Sequence, residues 1–158
     1  MLFRVDERLI HGQVVDGWGG PLHADRIVVV DDALAASAWE QELYCLGVPP
    51  EIEARFASVD EARARYADWA AGTRRTIVLV RDVATAGRMA EEGLLRGTEV
   101  NLGGVHHAAG RRPLLPYLHL TGEELLLLRG ISDGGAQVHA RDLPAARRVP
   151  LEELARAS

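Results

Sequence analysis

The sequence predicts an α/β fold, a single doubly wound, mostly parallel sheet flanked by helices. Short β-branched runs alternate with longer amphipathic segments along almost the whole chain, which is the pattern of parallel strands joined by crossover helices. Two of the runs, Ile27-Val28-Val29-Val30 and Thr76-Ile77-Val78-Leu79-Val80, are continuously apolar, as strands covered on both faces require. The 158 residues show no internal repeat, low-complexity tract or linker. That length suffices for one well-buried core and falls short of two, so residues 1–158 are read as one domain.

In chain order the expected strands are Leu2–Asp6, Arg26–Asp31, Ile52–Ala57, Thr76–Arg81, Glu99–Leu102, Pro116–Leu120 and Ala136–Arg141. The expected helices are Gly12–Trp18, Ala35–Leu46, Ser58–Ala71, Val83–Glu92, Gly122–Arg129 and Leu151–Ala155. Gly17, Gly19 and Gly20 make the end of the first helix rich in glycine. In the second, Trp39, Leu43 and Leu46 share one face, which is expected to pack inward and to make Cys45 a buried, inert thiol. Ser58 ahead of Val59-Asp60-Glu61 and Thr121 ahead of Gly122-Glu123-Glu124 are capping signals. Gly72, Gly93 and Gly130 stand where helices should stop.

Composition narrows the class of function. Hydrophobic residues make up 47% and charged residues 26%, the balance of a soluble globular protein. A net charge of −5 argues against nucleic acid and anionic lipid as partners. Every basic residue is Arg, for which a genomic base-composition bias is the simpler explanation than a phosphate-binding surface. With Cys45 as the sole cysteine, no internal disulfide can form and a redox or metal cluster is not expected. The opening Met1-Leu2-Phe3-Arg4-Val5-Asp6 lacks the apolar core of a signal peptide. No stretch approaches the ~20 apolar residues of a membrane span, so a cytoplasmic protein is expected.

The chemistry concentrates where the first strand ends, in Asp6-Glu7-Arg8-Leu9-Ile10-His11-Gly12-Gln13. Ligands of open α/β sheets bind outside the carboxyl ends of the strands, where free N–H groups at a helix start favour anions. His11 sits at that junction, and Gly12 offers no side chain to obstruct an approaching group. Arg8, three residues earlier, can fold its forked donors back onto a phosphate. A histidine titrating near ~6.5 is substantially neutral at cytoplasmic pH, so one ring nitrogen has a free lone pair. On the residues alone, a solvated loop histidine beside an Asp-Glu-Arg turn fits equally well.

The run Arg4-Val5-Asp6-Glu7-Arg8-Leu9-Ile10-His11-Gly12-Gln13-Val14 resembles the N-terminal signature of IIB components from the mannose/fructose/sorbose family of sugar phosphotransferase systems, R-[IV]-D-x-R-L-I-H-G-Q-V. Trp18, Arg26 to Asp32, Val48-Pro49-Pro50, Val100-Asn101-Leu102-Gly103-Gly104 and Val149 to Leu154 carry the resemblance to the end of the chain. It implies a phosphocarrier, a protein-N(π)-phosphohistidine–sugar phosphotransferase component. His11 would accept a phosphoryl group from a IIA domain and pass it to a sugar bound by membrane IIC and IID subunits, with no cofactor or metal. The protein would be cytoplasmic and associated peripherally with the membrane permease. Arg8, Gly12 and Gln13 would bind the phosphate, and Asp6 would orient Arg8 or the imidazole. Asn101, Gly103 and Gly104 would form a second wall of the pocket. An apolar rim of Leu9, Ile10 and Trp18 would meet IIA. A regulatory phosphoprotein of the same family, uncoupled from transport, is the alternative.

Other residues invite weaker readings. His106 and His107 are adjacent and lack a neighbouring carboxylate or cysteine, so a metal site is disfavoured and a place in the pocket lining is preferred. Arg111-Arg112 read as a solvated loop. Asp31-Asp32 fit Mg²⁺ binding or acid–base work less well than capping of the helix that follows. His23, His119 and His139 read as surface or strand-packed residues. A plain nucleotide- or anion-binding module is weakened because Gly17-x-Gly19-Gly20 fits neither G-x-G-x-x-G nor a P-loop.

Overall fold

The computed structural model describes residues 1–157. The strands are β1 (Leu2–Val5), β2 (Arg26–Val30), β3 (Glu53–Ala57), β4 (Thr76–Val80), β5 (Glu99–Leu102), β6 (Arg112–Leu115), β7 (Leu118–Leu120), β8 (Gln137–Ala140) and β9 (Val149–Pro150). A π-helix, Gln13–Trp18, runs straight into α1 (Gly19–Leu22). There follow α2 (Asp32–Ala35), α3 (Ala38–Cys45), α4 (Val59–Ala71), α5 (Val83–Ala90), α6 (Gly122–Asp133) and α7 (Leu151–Ala157). The main sheet has the order β3-β2-β4-β1-β5-β8-β9. All its pairings are parallel except that of β9 with β8.

Alternation along the strands separates two cores. On one face Leu2, Ile27, Val29, Ile77 and Leu79 pack against Leu9, Ile10, Val14, Val15, Trp18 and Leu34. On the other, Phe3, Val5, Val28, Val30, Val78 and Val80 pack against residues of α4, α5, α6 and α7. The chain therefore leaves β1 on one face and leaves β4 and β5, its two neighbours, on the other. Such a divergence opens a crevice at the carboxyl end of β1.

The expected caps are present. Ser58 Oγ accepts the Glu61 N–H at 3.1 Å. Thr121 and Glu124 form a reciprocal box at 3.0 and 2.8 Å. Several boundaries differ from the sequence reading, for physical reasons. Pro116–Leu120 is not a strand of the main sheet. Leu115 pairs with Leu118 in a β6–β7 hairpin, leaving Pro116 and Tyr117 as its turn, a position that suits a residue without an N–H. The helix expected over Ala35–Leu46 is two. Asp31 caps α2 by accepting the Leu34 N–H at 2.9 Å, the chain breaks at Ala36-Ser37, and α3 starts with a new helical phase. Trp39, Leu43 and Leu46 are consequently 65%, 57% and 84% exposed, and Cys45 is exposed rather than buried. Gly130 does not end a helix. Leu125, Leu128 and Ile131 continue one buried stripe through it, so α6 runs on to Asp133.

The first helical segment extends past Trp18 to Leu22, and Gly17 within it has a packing reason. A Cβ on Gly17 would lie 2.6 Å from Leu143 Cδ2, in the segment between β8 and β9 that covers the π-helix. Among the described residues no helix is long and apolar enough to cross a membrane.

Candidate functional site

Arg4 and Asp6 lie two apart at the end of β1, and both are fully buried. The Arg4 guanidinium donates to Asp6 Oδ2 at 3.1 Å, to Asn101 Oδ1, and to the carbonyls of Arg141 and Asp142 at 3.0 and 3.3 Å. It also stacks 5.1 Å from the centre of the Trp18 ring, and the Trp18 indole N–H bonds the Asp142 carbonyl. A buried guanidinium surrounded by acceptors of this kind holds a facing carboxylate ionised. Burial alone would raise the Asp6 carboxyl, but Arg4, the Arg8 N–H and His11 more than reverse this and leave it below its ordinary value.

The loop then folds back over Asp6. The Leu9 N–H donates to the Asp6 carbonyl at 3.0 Å, closing a turn in which Leu9 takes φ 57°. That left-handed conformation costs an L-residue roughly 1–2 kcal/mol. The Leu9 side chain is completely buried, which stabilises by about the same amount or more. The turn brings His11 Nε2 to 3.2 Å from Asp6 Oδ2. An ionised carboxylate only accepts, so Nε2 carries the ring proton and Nδ1 keeps the lone pair. Burial lowers the His11 pKa from its ordinary value; Asp6 opposes this, and Arg8 and Arg4 reinforce it. The imidazole is therefore neutral at neutral pH.

Around His11 the backbone is open to a ligand. The N–H groups of Val14 and Val15 both turn back onto the His11 carbonyl. Those of Gly12 and Gln13 have no hydrogen-bond partner among the described residues. Arg8 donates its N–H to Asp6 Oδ1 at 3.1 Å, while its half-exposed guanidinium reaches Gln13 Oε1 at 2.9 Å. Gln13 thus contributes its side chain to the placing of Arg8, a role that its position in the sequence did not suggest.

The C-terminal end of β5 backs this loop, with its residues at two depths. Gly104 faces the site: a Cβ there would lie 3.3 Å from Asp6 Oδ1, 3.4 Å from Arg8 Nη2 and 3.4 Å from His106 Cε1. Gly103 lies against the Arg4 guanidinium, which fills the space any side chain would need. Asn101 is fully buried, occupied by Arg4, by the Arg141 carbonyl at 3.2 Å and by His139 Nε2 at 3.3 Å. Burial brings the His139 pKa down to about 4. Asp6, Arg8, His11, Gly12, Gln13 and Gly104 are thus brought together, and Asn101 and Gly103 stand one layer behind, in contact with Arg4.

Some readings are corrected. Leu9, Ile10 and Trp18 form no exposed rim; they are 0%, 7% and 1% exposed, because they anchor the loop and π-helix to the sheet. Arg111 is not solvated but bridges Glu7 and Glu124. Asp31 caps α2 and pairs with Arg81 at 3.1 Å. Asp32 accepts the Val59 N–H at 2.8 Å and pairs with Arg88, so both act structurally. Arg4 had no role assigned from the sequence. Its signal was an arginine among the apolar residues of a central strand, which demands a buried counter-charge.

The family profile described as "PTS system sorbose subfamily IIB component" matches residues 1–158. The chain belongs to this family of IIB components. It is 28% identical over 157 residues to the N-acetylgalactosamine-specific phosphotransferase enzyme IIB component 1 of Escherichia coli K12, covering 97% of this chain and 96% of that protein. It is 25% identical over 153 residues to the E. coli K12 mannose-specific EIIAB component, of which it spans 47%. Among solved structures, manxB from Thermoanaerobacter tengcongensis superposes with a TM-score of 0.87 at 25% identity, over 99% of this chain and 94% of that one. This IIB component is accordingly a phosphotransferase component of a sugar phosphotransferase system, and the mannose-specific relative carries IIA and IIB in one protein.

Two outcomes follow from the buried pair and its histidine. Arg4→Met leaves Asp6 and Asn101 buried without their cation and should lower stability by about 3–5 kcal/mol, read as a drop in the urea midpoint; an unchanged midpoint would contradict the network. The His11 ring should titrate below ~6.5 by NMR. Because the unfolded state then takes up the proton first, this group favours folding above that pH and disfavours it as the pH falls below. A midpoint at or above the ordinary histidine value would remove the neutral-imidazole assignment.

Proposed function

We propose that His11 is the phosphoryl acceptor of this IIB component and that its Nδ1 forms the bond to phosphorus. The observation that carries this is the 3.2 Å contact between His11 Nε2 and the buried Asp6 carboxylate, which leaves Nδ1 as the nucleophile. In the reaction the Nδ1 lone pair attacks phosphorus while the bond to the donor breaks and its electron pair leaves with the donor. The positive charge left on the phosphorylated ring is held by Nε2–H against Asp6. Arg8 and the N–H groups of Gly12 and Gln13 receive the phosphoryl oxygens, an electrostatic task that needs no metal. Gly104 keeps the facing wall clear, and Asn101 and Gly103 act through Arg4.

The phosphoryl group comes from a IIA domain and goes to a sugar held by membrane IIC and IID subunits, with the protein docked peripherally on that permease. Residues 1–158 act as one domain. The occurrence of IIA and IIB in one mannose-specific relative supports a IIA donor. Nothing in the relatives favours the regulatory reading.

Intact-mass analysis tests the acceptor. Incubation with phosphoenolpyruvate, the general phosphotransferase proteins and a mannose-type IIA domain should add one acid-labile phosphate, absent in His11→Ala. A phosphate retained in that variant, or none on the wild-type protein, would sink the proposal. Arg8→Lys should slow transfer by about 10²-fold, because one ammonium cannot replace a two-pronged donor. Wild-type rates in that variant would take Arg8 out of the mechanism.

A further inference from the structure

The sequence placed His106 only in the lining of the pocket, and its surroundings give it a specific role. Its ring Nδ1 lies 3.0 Å from Glu7 Oε2, and its backbone N–H donates to the same oxygen at 3.1 Å. The other oxygen of Glu7 accepts from Arg111, which also donates to the His106 carbonyl at 3.0 Å and to Glu124 at 2.9 Å. The Glu7 N–H in turn bonds the Gly104 carbonyl at 2.9 Å. Glu7 is thus the residue of the phosphoryl loop that grips the segment after β5 and fixes the His106 imidazole by two bonds. Burial alone would raise the Glu7 carboxyl, but the bonds from Arg111 and His106 hold it below its ordinary value. It therefore acts as an acceptor, and His106 Nδ1 carries a proton.

The ring's Cε1, which lies between its two nitrogens, approaches Gly104. His106 Cε1, Arg8 Nη2 and Asp6 Oδ1 converge there on one point. Building on the reading of His11 as the acceptor, we propose that His106 is a second imidazole of the phosphoryl pocket, whose Nε2 donates to an oxygen of phospho-His11 opposite Arg8. With Nδ1–H given to Glu7, Nε2 can donate only when the ring carries both protons, and the half-exposed ring has access to solvent for the second. The imidazolium then lies between two anions, Glu7 and the phosphoryl group. Asp6 also favours this charge, while Arg8 and Arg111 oppose it. Glu7, at the variable position of the signature, becomes the positioning residue that aims the ring.

Since the hydrogen bond needs the extra proton, its contribution grows as the pH falls. The test compares wild type, His106→Ala and His106→Gln in the regenerating mixture of phosphoenolpyruvate, general phosphotransferase proteins and IIA, between pH 6.5 and 8.5. Transfer rates, the phosphorylated fraction by mass, and the ³¹P resonance of the phosphohistidine are followed. His106→Ala should lose about tenfold in transfer at pH 6.5, the equivalent of one charge-assisted hydrogen bond, with a smaller loss at pH 8.5 and a displaced ³¹P resonance. His106→Gln, whose amide donates without taking up a proton, should recover part of the rate with a flatter pH profile. Equal rates, pH dependence and ³¹P resonance in wild type and His106→Ala would overturn the role of His106 alone. Absence of phosphate on wild-type His11 would instead bring down the acceptor reading, and this proposal with it.

Discussion

A carboxylate with no access to water has to be ionised for this site to work, and the buried Arg4–Asp6 pair is what keeps it so. Removing both charges from solvent carries a desolvation penalty that their attraction only partly recovers, so stability alone does not account for the pair. Its use is directional. Asp6 has one oxygen committed to the Arg8 N–H and the other shared between Arg4 and His11, and that arrangement fixes which imidazole nitrogen is bare. Asn101, Trp18 and the carbonyls of Arg141 and Asp142 all meet Arg4. Three other segments of the chain therefore converge on the support of one side chain.

The fold makes that convergence possible. β1 is flanked by β4 and β5 and pairs with both in parallel, so the ends of three strands meet around Asp6. The Asp6 N–H bonds the Val80 carbonyl on one side, and the Gly103 N–H bonds the Val5 carbonyl on the other. Because the connections leave β1 and its neighbours on opposite faces, no helix among the described residues closes over this place. A side chain at position 104 would fill it from below, and one at 103 would displace the Arg4 guanidinium behind it, which is the physical demand behind the Gly103-Gly104 pair.

Most of the architecture was legible because it rests on short-range signals. The apolar runs of β2 and β4, the caps at Ser58 and Thr121, and the signature around His11 each need only a few consecutive residues to be recognised. Features set by tertiary contacts were not legible. The break between α2 and α3 turns Trp39, Leu43 and Leu46 outward, yet their spacing reads the same whichever side packs. The left-handed Leu9 has no sequence mark at all, since only the burial of its side chain makes the turn tolerable. Arg4, Glu7 and Arg111 act on partners up to a hundred or so positions away, so their roles emerge only when the strands are in place.

With His11 as the proposed acceptor, the contrast between the two arginines of the signature accounts for how one site would both take and release a phosphoryl group. Arg4 is sealed from solvent with both terminal nitrogens engaged by acceptors, so an incoming phosphate cannot recruit it. Arg8 is half-exposed, lies 3.7 Å from Asp6 Oδ1 and donates one hydrogen bond to the uncharged Gln13 amide, which a phosphoryl oxygen can replace. A carrier needs that division. If both guanidinium groups closed on the phosphate, the phosphorylated state would be too stable to hand on, and if neither were available the group would not be accepted. On the proposed assignment of His11, the fixed charge sets the nucleophile and the movable one meets the cargo.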